Sequence, residues 1–163
     1  RCAHEDGFDR RSDGGVSMAG ELIVEKIENG TVIDHIPAGM GLKVLGILNI
    51  GPGSRTALLM NVPSKRGGGK DIVKISGKQL DEKEVNRIAL AAPNATLNII
   101  RGGAVVEKSE VRLPKELRGV AKCPNPNCIT NGEKIEQRFV QDEKDKFRCA
   151  YCEMQFETKE LVF

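Results

Sequence analysis

Four of the five cysteines fall into two tight pairs: Cys123-Pro-Asn-Pro-Asn-Cys128 and, twenty residues later, Cys149-Ala-Tyr-Cys152. Two close pairs separated by a hairpin-sized segment bring four soft thiolates to one tetrahedral ion, for which Zn²⁺ is the expected occupant. Four thiolates leave no open coordination position for water, so the expected role of Cys123, Cys128, Cys149 and Cys152 is structural. Pro124 and Pro126 stiffen the longer first loop, so its sulfurs still converge. Two disulfides or a thioredoxin-like redox pair fit less well. No secretory signal opens the chain, and Cys149 to Cys152 lies between strand-like runs rather than at a helix start.

The second group with chemistry to offer is cationic. Lys70 and Lys74 stand four apart on an apolar strand pattern, which aims both ammonium groups to one side, and Lys108 follows later. Point charges of this kind suit a polyphosphate, although a solvated strand edge would read the same way. The run Arg66-Gly67-Gly68-Gly69-Lys70-Asp71 is not a nucleotide-triphosphate loop: its first glycine is missing, and Asp71 stands where Ser or Thr would hold magnesium. Asp34-His35 offers an acid–base pair without a third partner, so ligand contact, or a plain surface turn, is expected there rather than catalysis. His4, the other histidine, lies in the tail with Cys2 and receives no metal role.

The elements that must position these groups follow in order. Residues 1–17 (Arg1 to Ser17) are rich in Gly, Asp and Arg without hydrophobic periodicity and read as a disordered tail, with Met18 as the natural start. Leu22 to Ile27 alternates as a strand, Asn29-Gly30 turns the chain, and Thr31 to Ile33 is a short β-prone piece. Pro37 opens a helix running over Ala38 to Leu48. The apolar run Thr56 to Val62 reads as a central strand, Ser64 to Lys70 as a basic loop, and Ile72 to Ile75 as another strand. Asp81 and Glu84 form a capping-box signature before a helical face of Val85, Ile88, Ala89 and Ala92, stopped by Pro93. Thr96 to Ile100 and Ala104 to Val106 complete the strands. The expected fold class is α+β: an N-terminal ferredoxin-like antiparallel sheet with two helices over residues 18–113, then a small zinc-bound, zinc-ribbon-like all-β domain over residues 114–163. Leu113-Pro114 and a charged helix-like turn form the hinge. The last segment, roughly forty-five residues, is too short for a full hydrophobic core, so metal must supply much of its folding energy.

Composition narrows the function classes. With 25 basic and 23 acidic residues the net charge is +2, without the basic excess of a nucleic-acid surface. Five Phe, one Tyr and no Trp are few platforms for stacking single-stranded bases. A zinc-ribbon nucleic-acid-binding protein therefore stands only as the alternative, and a small nucleotide-acting enzyme built on Asp34, His35 and Lys74 as a more remote one. No stretch is long and apolar enough for a membrane span, and the cysteine usage fits a reducing cytoplasm, the expected location.

From Leu22 onward the chain resembles the regulatory chain of aspartate carbamoyltransferase. The motifs are Val24-Glu25, the run Gly30-Thr-Val-Ile-Asp-His-Ile-Pro-Ala38, Asn61-Val-Pro-Ser64, Lys70-Asp71 with Lys74-Ile75, and Ala92-Pro93 with Ala95-Thr96 and Asn98. The Cys123 to Ile129 and Cys149 to Glu153 stretches complete the match. The resemblance implies a non-catalytic subunit of pyrimidine biosynthesis. Its N-terminal domain would bind nucleoside triphosphates (CTP, ATP), and its C-terminal domain would hold one structural zinc per chain and dock on the catalytic chain. Regulatory chains would pair as homodimers through their allosteric domains, three pairs bridging two catalytic trimers in a dodecamer, with no nucleic acid and no membrane. Carried over by position, Asp34 and Lys74 contact ribose and base with Asn98 nearby. His35, Lys70 and Lys108 meet the phosphates, while Val24, Glu25, Ile27, Val32, Ile100 and Val105 line the walls. The family tyrosine at the base pocket falls at Gly103, where only the backbone can act.

Overall fold

The computed structural model describes residues 25–48, 50–65 and 67–161. Strand β1 (Gly30–Pro37) leads through helix α1 (Gly41–Ile47) to the hairpin of β2 (Thr56–Pro63) and β3 (Gly69–Ser76). Helix α2 (Glu82–Ala91) then returns the chain to β4 (Thr96–Arg101) and β5 (Ala104–Glu110). The sheet order is β2-β3-β1-β4-β5, antiparallel throughout, which is the ferredoxin-like arrangement with β5 added outside β4. Alternation along each strand sends Ile33, Val73, Ile75 and Leu97 to one face, where Val44 and Ile47 of α1 and Ile88, Ala89 and Ala92 beside α2 close a dry core. The other face carries no helix among the described residues.

The capping box at α2 forms as its sequence requires: Glu84 N–H donates to Asp81 Oδ1 at 2.7 Å and Asp81 N–H to Glu84 Oε2 at 3.2 Å. Several other expectations are corrected. The β-prone piece at Thr31 is the central strand itself, eight residues long, because a bulge between Ile33 and Ile36 carries β1 past Asp34 and His35. Pro37 thus ends a strand instead of opening a helix, and α1 begins four residues later. The strand expected over Leu22 to Ile27 is absent over Glu25 to Ile27, and its first three residues lie outside the described residues, as does the 1–17 tail. The two residues after that segment are held across the strand ends, by Gly77 N–H to Asn29 O (2.9 Å) and Gly103 N–H to Glu28 O (2.8 Å). Strand β2 lies at the sheet edge rather than its centre, and this leaves Met60 46% exposed. At Gly30, a Cβ would stand 2.1 Å from Ile75 O with φ at +144°, so only glycine lets β1 start against β3.

Beyond Leu113, a second antiparallel sheet runs β6 (Glu116–Arg118), β7 (Arg138–Glu143), β8 (Lys146–Cys149) and β9 (Gln155–Glu157), with a one-turn helix α3 (Ile129–Gly132) between β6 and β7. The expected helix-like turn after Pro114 is β6, since Leu117 is fully buried and pairs with Phe139. Phe139, Phe147, Phe156 and Leu161 form its small core, and Leu90 of α2 is buried among them.

Candidate functional site

The two cysteine loops face each other. Asn131 Nδ2 donates to Cys123 O (2.9 Å) and Asn125 O (2.8 Å), while Cys128 N–H donates to Asn125 O (3.0 Å), folding the long first loop into a knuckle. The second knuckle closes with Glu153 N–H on Cys149 O at 3.0 Å, with Glu153 in the left-handed region (φ 59°). The four Sγ atoms lie within 4.8 Å of one another. Two of the separations are 3.7 Å (Cys123 to Cys152) and 3.8 Å (Cys128 to Cys149). A tetrahedral zinc–thiolate centre with bonds of about 2.3 Å has edges of about 3.8 Å, so these sulfurs fit one ion with little adjustment. Burial pushes the Cys123 and Cys149 thiols up. Burial also opposes ionisation of Cys128, but the hydroxyl and N–H of Thr130 and the neighbouring thiols outweigh it and lower that thiol to about 7. A metal bound here would have to displace the protons that burial keeps on Cys123 and Cys149.

The cationic residues gather on the helix-free face of the five-stranded sheet. Register places Lys74 beside Ala57 and Val32, Val32 beside Asn98, and Asn98 beside Lys108, in one row across five strands. Ile100 and Val105 pair one step further, Ile100 buried and Val105 57% exposed. Towards the other end of β3, Lys70 Nζ stands 2.7 Å from Asp34 Oδ1, and His35 N–H donates to the same oxygen at 2.7 Å. His35 has φ 58°, and its buried Nδ1 makes no hydrogen bond among the described residues although Asp34 Oδ2 is 3.3 Å away. Lys74, Glu25 and Ile27 line a groove of about 570 Å³. Asp34, His35 and Lys70 form a separate corner, and Asn98 and Lys108 extend the row away from the groove. Gly103 sits in the β4–β5 turn with φ 75°, its N–H committed to Glu28. Val24 lies outside the described residues.

Sequence reasoning missed two things here. Arg55 and Ser76 line the same groove as Lys74. Asp71, considered only as a failed magnesium ligand, is completely buried and accepts three backbone N–H bonds. The alternation Asp71, Val73, Ile75 already marked it as inward-facing.

Comparison with known proteins agrees with both halves. Residues 22–112 match the family model described as aspartate carbamoyltransferase regulatory chain, allosteric domain, and residues 115–162 match the metal binding domain of the same chain. The aspartate carbamoyltransferase regulatory chain of Pyrococcus abyssi is 54% identical over 147 residues, covering 87% of this chain and 97% of the relative. The regulatory chain of Saccharolobus solfataricus is 52% identical over 151 residues, covering 90% and 95%. That of Methanococcus maripaludis is 54% identical over 138 residues, covering 83% and 93%.

Proposed function

The chain belongs to the aspartate carbamoyltransferase regulatory-chain family, and from that premise we propose that its open sheet face binds nucleoside triphosphates while its four-cysteine centre holds one structural zinc. It is a regulatory chain and not an enzyme, with an allosteric and a metal-binding domain, and it associates with the catalytic chain. On our reading the effectors are CTP and ATP, the pathway is cytoplasmic pyrimidine synthesis, and three regulatory dimers bridge two catalytic trimers.

The observation that carries the nucleotide reading is the row Lys74, Val32, Asn98, Lys108. Among the described residues, two ammonium groups without an ion pair flank an apolar side chain and an amide, and no helix covers that face. Cations serve phosphate oxygens, and the amide and apolar surface serve base and ribose. Zinc follows from the ligand set, since four thiolates with tetrahedral spacing select a soft or borderline ion.

A nucleotide alters activity only by binding two quaternary states unequally, with a coupling of roughly 1–3 kcal/mol typical. The test is co-purification with the catalytic chain, followed by aspartate saturation curves with and without each triphosphate. Curves that superimpose under every nucleotide would end the reading.

Lys108→Ala probes the row directly. Loss of one charge-assisted contact, about 1.5–3 kcal/mol, should weaken triphosphate binding by roughly tenfold or more in calorimetry. The assembled complex should elute unchanged in size-exclusion chromatography. Unaltered affinity would move the phosphates elsewhere.

A further inference from the structure

We propose that Asp71 is the positioning residue of the anion corner, acting from the opposite face of the sheet. This deepens the nucleotide reading above and rests on it. Asp71 and Lys70 are neighbours on β3 and therefore point to opposite faces. Lys70 reaches Asp34 on the open side, while Asp71 is fully buried beneath the start of α1. The buried carboxylate meets three N–H groups: Oδ2 accepts from Gly39 and Gly41, and Oδ1 from Asn61, each at 2.8 Å.

The origin of those donors gives the residue its role. Gly39 and Gly41 follow the β1 bulge that carries Asp34 and His35, and Asn61 sits inside the β2 bulge between Leu59 and Val62. His35 (φ 58°) and Asn61 (φ 53°) both occupy the left-handed region, which non-glycine residues hold only where their surroundings over-determine them. Here the over-determination is one carboxylate that ties the exit of β1 and the bulge of β2 to β3 at the residue next to Lys70. The fit leaves no slack: a Cβ on Gly41 would stand 3.0 Å from Asp71 Oδ2 and 2.7 Å from Leu58 Cδ1. Asp71 therefore sets where Asp34, His35 and Lys70 meet, and it links that corner to α1.

Asp71→Asn in the full chain tests this. Asparagine keeps the size but has one acceptor oxygen, which can serve either Asn61 or the two glycines. Inorganic tripolyphosphate binding, followed by calorimetry, should fall about tenfold in a variant that still melts cooperatively. The loss should be non-additive with Lys70→Ala and additive with Lys108→Ala. Wild-type affinity in the folded variant, or full additivity with Lys70→Ala, overturns the inference. If the asparagine variant does not fold, Asp71→Glu carries the same measurements. Amide spectra of the wild-type chain give a reading that needs no variant. Tripolyphosphate should shift Gly39, Gly41 and Asn61 together with His35 and Lys70. Shifts at His35 and Lys70 alone overturn the positioning role. No binding at all removes the nucleotide reading itself, and the positioning role with it.

Discussion

Replacing Cys149 with serine should release the metal and unfold the C-terminal sheet while the five-stranded sheet stays folded. Cys149 is buried within that sheet's core, on β8 opposite Phe139, and its sulfur lies 3.8 Å from that of Cys128. Structural zinc contributes on the order of 10–16 kcal/mol in apparent terms, far more than the few kcal/mol that a core of three phenylalanines and a handful of aliphatic residues can supply. Metal analysis should read close to zero. Amide exchange should become fast from β6 to β9 and remain slow in β1 and β3, and the chain should no longer co-elute with its catalytic partner. An intact complex without metal would remove the ion from assembly.

Leu90→Ala is expected to uncouple the two sheets without disarming either. Leu90 is carried by α2, whose other face packs on the five-stranded sheet through Ile88 and Ala89. Yet its own side chain, 6% exposed, belongs to the core around Leu117 and Phe147. Truncation of a buried leucine typically costs about 2–5 kcal/mol. The polar contacts across the same junction are weak substitutes. Arg87 Nε reaches Val120 O at 3.2 Å, and the exposed Lys83–Glu136 pair at 3.7 Å contributes little. Calorimetry should resolve separate transitions for the two sheets, with the C-terminal one lowered. Triphosphate affinity should persist while the response of the assembled enzyme fades. One unchanged transition with a full response would show that the signal takes another route.

The sequence disclosed those features whose cause is local. The capping box at Asp81 and Glu84, the stop at Pro93 and the two cysteine knuckles each depend on residues a few positions apart, and each lies where its spacing puts it. What escaped depends on partners distant in the chain. The Thr56 to Val62 run has the composition of a central strand, and only the pairing of β1 with β3 and β4 sends it to the edge. Pro37 satisfies the rule for a helix start, but the bulge at Asp34 and His35 extends β1 through it. The small core beyond Leu113 also draws on Leu90, some thirty residues earlier than Val120, a contribution invisible to any local window. In the corner proposed to meet the phosphates, residue types pointed to Lys70, Asp34 and His35. The carboxylate behind them was passed over because its three partners come from two other segments.

The pairing of Lys70 with Asp34 bears on selectivity. Before any ligand arrives, this corner is already electrically balanced, with both side chains about four-fifths shielded from solvent. On the nucleotide reading proposed above, a phosphate at Lys70 would compete with this resident carboxylate, so its gain would be the difference between two attractions rather than the whole of one. On that reading a singly charged metabolite would gain almost nothing from the exchange, whereas a polyanion would recover the loss at Lys74 and Lys108, which have no ion pair among the described residues. On the same reading, discrimination by valence would be a property of the resting corner and should flatten as rising ionic strength screens the exposed Lys108 first.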